Sequence, residues 1–175
     1  MIRTRVGYAG GTTEKPTYRD LGDHAETIEI DFDPKVISYE KLLEVFWKAH
    51  DPSSEAWSRQ YMNAVFYNSE SQRKAAEAAR AKLDGDVKTP ILPATPFTCA
   101  EDYHQKYRLR SHRELDKALH DLYPDEAAFR DSTAAARANA LLSGVDAPID
   151  DLDVPDAVKE MLRAVGPKRP ATCPK

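Results

Sequence analysis

The sequence predicts an α+β domain, a two-layer mixed sheet flanked by helices, with an additional helical segment toward the C-terminus. Three observations predict it. Ala25 to Phe32 alternates as a half-buried strand does. Between Tyr39 and Leu83, helical and extended patterns succeed one another. From about Ser111 onward the strand signal stops and only helical patterning remains.

Taken in order, Arg3 to Tyr8 is extended in character and is broken by Ala9-Gly10-Gly11. In the next strand Glu26, Ile28, Ile30 and Phe32 share one side, and Thr27, Glu29 and Asp31 the other. After the turn at Asp33-Pro34, Ser38 caps a helix whose apolar residues Tyr39, Leu42, Leu43, Phe46 and Trp47 fall on one face. Asp51-Pro52 stops that helix. Tyr61 to Tyr67 reads as a strand buried on both sides, and Ser69 to Leu83 as a helix with a mostly solvated surface. Val87 to Leu92 is a weaker strand, and Pro90, Pro93 and Pro96 give it a rigid loop on its C-terminal side. His112 to Leu122 and Pro124 to Leu142 are helical, Gly144 to Pro155 is a linker, and the last ten residues have the composition of a disordered tail. The expected organisation is a core over 1–110, a helical extension packed on it over 111–143, and a linker, short helix and tail over 144–175.

Composition narrows the function. A net charge of −4 gives no support for binding nucleic acid or anionic membranes. No apolar run approaches the ~18 residues of a membrane span, and the first residues lack the apolar stretch of a signal peptide. A cytoplasmic location is expected. Cys99 and Cys173 form neither a disulfide framework nor a zinc motif.

Four segments in order carry a more specific signal: RTRVGYAGGTTEKPTYRDLGDHAE from Arg3, VISYEKLLEVFWKAHDP from Val36, SRQYMNAVFY from Ser58 and TPFTCAEDYHQKY from Thr95. Together they resemble the peptide methionine sulfoxide reductases that act on the S-sulfoxide epimer, an oxidoreductase family of protein repair. The resemblance implies thiol-dependent reduction of methionine sulfoxide, free or within oxidised proteins, and the same α+β architecture. It implies no metal, flavin or nicotinamide cofactor, only an external thiol reductant such as thioredoxin, glutaredoxin or a small thiol.

Reduction of a sulfoxide needs a nucleophile on sulfur and a proton donor on oxygen. Glu26 is the donor candidate. Its strand parity turns it toward the apolar layer, where desolvation raises a carboxyl's pKa, and Asp23-His24-Ala25-Glu26 matches the family's proton-donor segment. From the residues alone, a strand-end glutamate reaching solvent or Arg19 is equally open. Tyr18, in Pro16-Thr17-Tyr18, and Tyr61, in Gln60-Tyr61, match the family's two oxygen-binding tyrosines; without the resemblance each reads as a core or surface residue. The family's Gly-Asn-Asp segment before the second tyrosine is not matched. Ala56 stands at its Asp, so that either a polar contact is lost or Glu55 or Ser58 supplies it. Asp102 and His104 either border the site or tie their loop to the core.

The family's nucleophile belongs to a Gly-Cys-Phe-Trp motif on an interior strand, for which this sequence has no counterpart. The expectation is a strand and helix of roughly 20–25 residues upstream of Met1. The alternatives are a non-catalytic sulfoxide-binding module and an inactive remnant. Cys99 is expected to be a buried structural cysteine and Cys173 an inert tail cysteine. His104, His112 and His120 repeat on one helical face and read as surface residues.

Overall fold

A computed structural model describes residues 2–166. The chain divides into two compact units, one of Arg5–Glu101 and one formed by Asp102 onward together with Ile2–Thr4.

The first unit contains five strands and two helices. β1 (Arg3–Ala9) lies between β2 (Ala25–Asp31) and the two-residue β5 (Thr98–Cys99). β1 and β5 run antiparallel, with Gly7 opposite Cys99 and Tyr8 opposite Thr98. A second, parallel pair joins β3 (Val65–Tyr67) to β4 (Ile91–Pro93), with Val65 opposite Ile91. The expected mixed sheet is thus present as two small sheets.

α1 (Tyr39–Lys48) starts where Ser38 accepts a hydrogen bond from the Lys41 amide, and it buries Leu43 and Trp47, one turn apart on one face. α2 (Glu70–Arg80) is capped in the same way by Ser69, and Gln72 reaches back to the Asn68 amide at 2.8 Å. The two helices and the parallel pair share a core of Leu43, Trp47, Val65 and Ala76.

The long strand expected over Tyr61–Tyr67 is only Val65–Tyr67, and of these residues only Val65 is buried. Its first half is taken by a turn, in which the Met62 amide donates to the Arg59 carbonyl. The loop expected after β4 contains β5, too short for any periodic signal.

The second unit is helical. After a single 3-10 turn at Asp102–His104 come α3 (Tyr107–Arg110), α4 (Arg113–Leu122), α5 (Glu126–Asp131), α6 (Thr133–Leu142) and α7 (Asp156–Val165). The helix expected over Pro124–Leu142 is broken at Ser132, which has extended dihedrals and caps α6 through the Ala135 amide. Leu109, Leu115, Leu119, Phe129, Ala135, Leu141, Leu152, Val158 and Leu162 make one core.

Two boundaries therefore differ from expectation. The helical unit begins at Asp102 rather than 111. Residues 144–166 contribute Leu152, Val158 and Leu162 to its core instead of linking away from it. Those three are apolar anchors spaced through an Asp- and Pro-rich stretch whose overall composition hides them. Cys173 and the rest of the expected tail beyond 166 lie outside the described residues.

The histidines expected on the surface are half-buried. His112 Nδ1 caps α4 at the Leu115 amide, and His120 stacks on Phe129 with ring centroids 3.9 Å apart. Phe129 also lies under the Arg110 guanidinium, 4.9 Å from its ring centroid. Phe129→Ala is expected to destabilise this unit by about 3–5 kcal/mol, read from the shift in its helical unfolding transition in urea. A loss below about 1 kcal/mol would contradict the packing.

Candidate functional site

The site residues of the first unit are set on two stretches of irregular backbone that hydrogen bonds make rigid. The first runs from Gly10 to His24. Gly10 has φ +82°, and a Cβ there would meet the Phe66 ring at 2.6 Å, so the turn out of β1 requires glycine. The Gly10 amide donates to Thr95 Oγ1 at 2.7 Å.

At the far end of the stretch, the Asp23 carboxylate accepts from the Thr12 and Thr13 amides at 2.8 and 3.0 Å and from both threonine hydroxyls at 2.9 Å. These donors, the Thr12 amide foremost, hold its pKa far below the ordinary carboxylate range. The buried His24 takes a bond from the Gly11 amide on Nδ1 at 3.3 Å, which leaves Nε2 as the protonated nitrogen, donating to the Thr13 carbonyl at 2.9 Å. Asp23 and His24 together fold the loop that carries Tyr18 back onto the start of β2.

The second stretch is Trp57–Tyr61. Arg59 donates through Nη2 to the Gly10 carbonyl at 2.6 Å and through Nε to the Asp23 carbonyl at 3.2 Å, fastening this stretch to both ends of the first. Gln60 then closes a two-point clamp on Glu26. The Glu26 amide donates to the Gln60 carbonyl at 2.9 Å, and Gln60 Nε2 donates to Glu26 Oε1 at 2.8 Å. The clamp fixes the carboxyl directly beside the residue that precedes Tyr61. The arrangement holds the carboxyl at one oxygen, with Tyr61 on the adjoining segment.

Tyr18 is held from a different direction. Its amide donates to Glu101 Oε1 at 3.1 Å, and the other oxygen of Glu101 accepts from the Tyr8 hydroxyl at 2.8 Å. Tyr8 is buried on β1, so Glu101 ties the Tyr18 loop to the sheet.

Glu26, Tyr18 and Tyr61 therefore belong to one unit. Asp102 and His104 belong to the other, in its first turn, where Asp102 is exposed, its carbonyl accepts from the Gln105 amide, and the His104 ring packs against Tyr103 at 4.2 Å. Two residues were expected to stand in for an aspartate at position 56. Glu55 is turned to Lys88 at 3.7 Å, whereas Ser58 Oγ is buried with no hydrogen-bond partner among the described residues.

The desolvation expected for Glu26 is not met by these residues, because Glu26 is exposed. Strand parity does set it on the side of Ile28 and Ile30, and the cause lies in what that side faces. β2 is the outer strand of its sheet. Its apolar side opens on a groove of about 400 Å³ lined by Glu26, Ile28, Phe32, Leu42, Phe46 and Phe66, among others. Ile28, in the middle of the strand, is 56% exposed. Cys99 is likewise exposed rather than buried, on the two-residue edge strand β5.

Sequence reasoning missed Arg59, Gln60 and Glu101, which act on the site through positions distant in sequence. Only the charge or amide at each could have suggested a partner.

A carboxylate whose folded pKa is depressed adds stability that is fully present above its unfolded pKa of about 4 and is lost as pH falls toward the folded value. Asp23→Asn is therefore expected to lower the urea midpoint at pH 7. It is also expected to reduce the loss of stability that the wild-type protein shows on acidification below about pH 4. Equal midpoints at pH 7 would show that the loop does not depend on this carboxylate.

The family model described as peptide methionine sulfoxide reductase matches residues 1–137. The chain is 40% identical over 151 residues to the peptide methionine sulfoxide reductase of Drosophila melanogaster, covering 83% of this chain and 60% of that protein. It is 45% identical over 122 residues to the peptide methionine sulfoxide reductase MsrA of Methanococcoides burtonii, covering 61% of this chain and 80% of that one. The chain thus spans less than two thirds of the fly relative. Among solved structures, Mxr1 from Saccharomyces cerevisiae in reduced form superposes with a TM-score of 0.57 at 28% identity, covering 63% of this chain and 71% of that one. Methionine sulfoxide reductase A of Corynebacterium diphtheriae does so with a TM-score of 0.53 at 30% identity, covering 63% of each chain. By sequence over most of its length and by fold, this chain belongs to the peptide methionine sulfoxide reductase family.

Proposed function

We propose that the protein is a peptide-methionine (S)-S-oxide reductase and that these residues supply the oxygen-handling half of its active site. The observation that carries the reading is the clamp of Gln60 on Glu26, with Tyr61 next in the chain. A proton donor near hydroxyl groups is what a sulfoxide oxygen requires, since the oxygen must be protonated as its bond to methionine sulfur breaks.

In this scheme a thiolate attacks the sulfoxide sulfur while Glu26 gives its proton to the oxygen, and Tyr61 and Tyr18 hold that oxygen by their hydroxyls. The S–O bond breaks as oxygen passes to the attacking sulfur. Methionine departs as the thioether and a cysteine sulfenic acid remains. Two electrons and two protons from an external dithiol or small thiol, of the thioredoxin class, return the sulfenic acid to thiol with release of water.

Neither cysteine of this sequence, Cys99 or Cys173, lies in a Gly-Cys-Phe-Trp motif. Cys99 does not stand in any position that matches the family's nucleophile, and the groove beside Glu26 is apolar, open and bordered by the outer strand β2.

The test compares the 175-residue chain with the native protein isolated from its source, using dithiothreitol and methionine S-sulfoxide. Turnover is expected from the native protein, lowered about 10²–10⁴-fold by Glu26→Gln. Turnover by the chain by itself would assign the nucleophile to Cys99 or Cys173. Binding without turnover by the native protein would make it a sulfoxide-binding module.

A further inference from the structure

The most exposed aromatic side chain of the first unit has no part in the oxygen-handling cluster. Trp57 is 82% exposed, and its indole lies on the ring of Tyr61 with centroids 5.0 Å apart and planes at 27°. Tyr61 is itself 43% exposed. An indole left in water carries a hydrophobic cost that one stacking contact does not remove, and exposed tryptophans are enriched where a second molecule is bound.

The loop bearing Trp57 is also pinned at both ends. At its start, the Asp51 carboxylate accepts from the Ser53 amide at 2.9 Å and from the Ser54 hydroxyl at 2.8 Å. The Pro52 carbonyl accepts from the Lys88 amide at 2.8 Å. At its end stands Arg59, tied to Gly10 and Asp23. The indole is thus presented on fixed backbone, which reduces the ordering cost of binding.

Resting on the assignment of the site to methionine sulfoxide, we propose that Trp57 is the specificity-determining residue for polypeptide substrates. When Tyr61 holds the sulfoxide oxygen of an oxidised methionine, the stacked indole continues that surface outward. The residues flanking the methionine then lie across it. A sulfoxide with no flanking chain reaches Tyr61 but has nothing to place on the indole. Trp57 acts on binding and takes no part in proton or electron transfer.

The experiment uses the native protein with dithiothreitol and two substrates. One is a seven-residue peptide with methionine S-sulfoxide at its centre. The other is N-acetyl-methionine S-sulfoxide methylamide. Trp57→Ala is expected to raise KM for the peptide roughly 3–10-fold more than KM for the capped residue, with kcat for the peptide held. Trp57→Phe is expected to recover most of the difference. An equal change in KM for both substrates would overturn the proposal, because Trp57 would then only set the position of Tyr61. So would no change for either. Failure of the wild-type protein to act on either substrate would overturn the sulfoxide reading itself, and this inference with it.

Discussion

The Asp23 carboxylate accepts five hydrogen bonds from two consecutive threonines, the Thr12 amide reaching both oxygens, and its carbonyl accepts one more from Arg59. Glu26 begins three residues later, on the strand that this arrangement starts. Because a carboxylate surrounded by amide and hydroxyl donors is far more stable charged than neutral, the turn is locked wherever Asp23 is ionised. His24 adds a second lock from inside, bonded at both ring nitrogens to the same loop. A long stretch without regular secondary structure can thereby hold Tyr18 and Glu26 as firmly as a strand would. Precision of that order is what proton delivery to a bound oxygen demands.

The site is built by polar cross-links over a thin apolar base. Between the two helices and the parallel pair the first unit has a small cluster of buried residues, Leu43, Trp47, Val65 and Ala76, while Tyr8, Ala9 and Ala25 are buried at the strand ends that border the site. The second unit is better packed, around Leu109, Leu115, Leu119, Phe129 and Leu162. The open groove beside β2 is the exception to efficient burial, with Ile28 exposed on it.

Legibility followed the range of the interactions. α1 and α2 were plain in the sequence, because a serine cap and helical spacing are local signals. β2 was plain because alternation is local too. The strand parity of Glu26 could be read, but its exposure could not, since that depends on what occupies the other side of the groove. β5 and the break at Ser132 were hidden, the first by its two-residue length and the second because serine is compatible with both a helix interior and a cap. The exposure of Cys99 was hidden for the same reason as β5, because a two-residue edge strand leaves no periodic signal of which side faces out. The tyrosines and Glu26 were found through family motifs. Arg59, Gln60 and Glu101, which hold them, carry no motif of their own and became visible only as hydrogen bonds across 34 to 93 positions of sequence.

The central claim is that the Glu26–Gln60–Tyr61 cluster receives the sulfoxide oxygen. The most direct measurement is an amide-resolved NMR titration of the isotope-labelled native protein with N-acetyl-methionine S-sulfoxide methylamide, alongside the corresponding R-sulfoxide. Saturable shifts centred on the Glu26, Gln60 and Tyr61 amides are expected from the S epimer and not from the R. Shifts centred elsewhere, or the same response to both epimers, would contradict it.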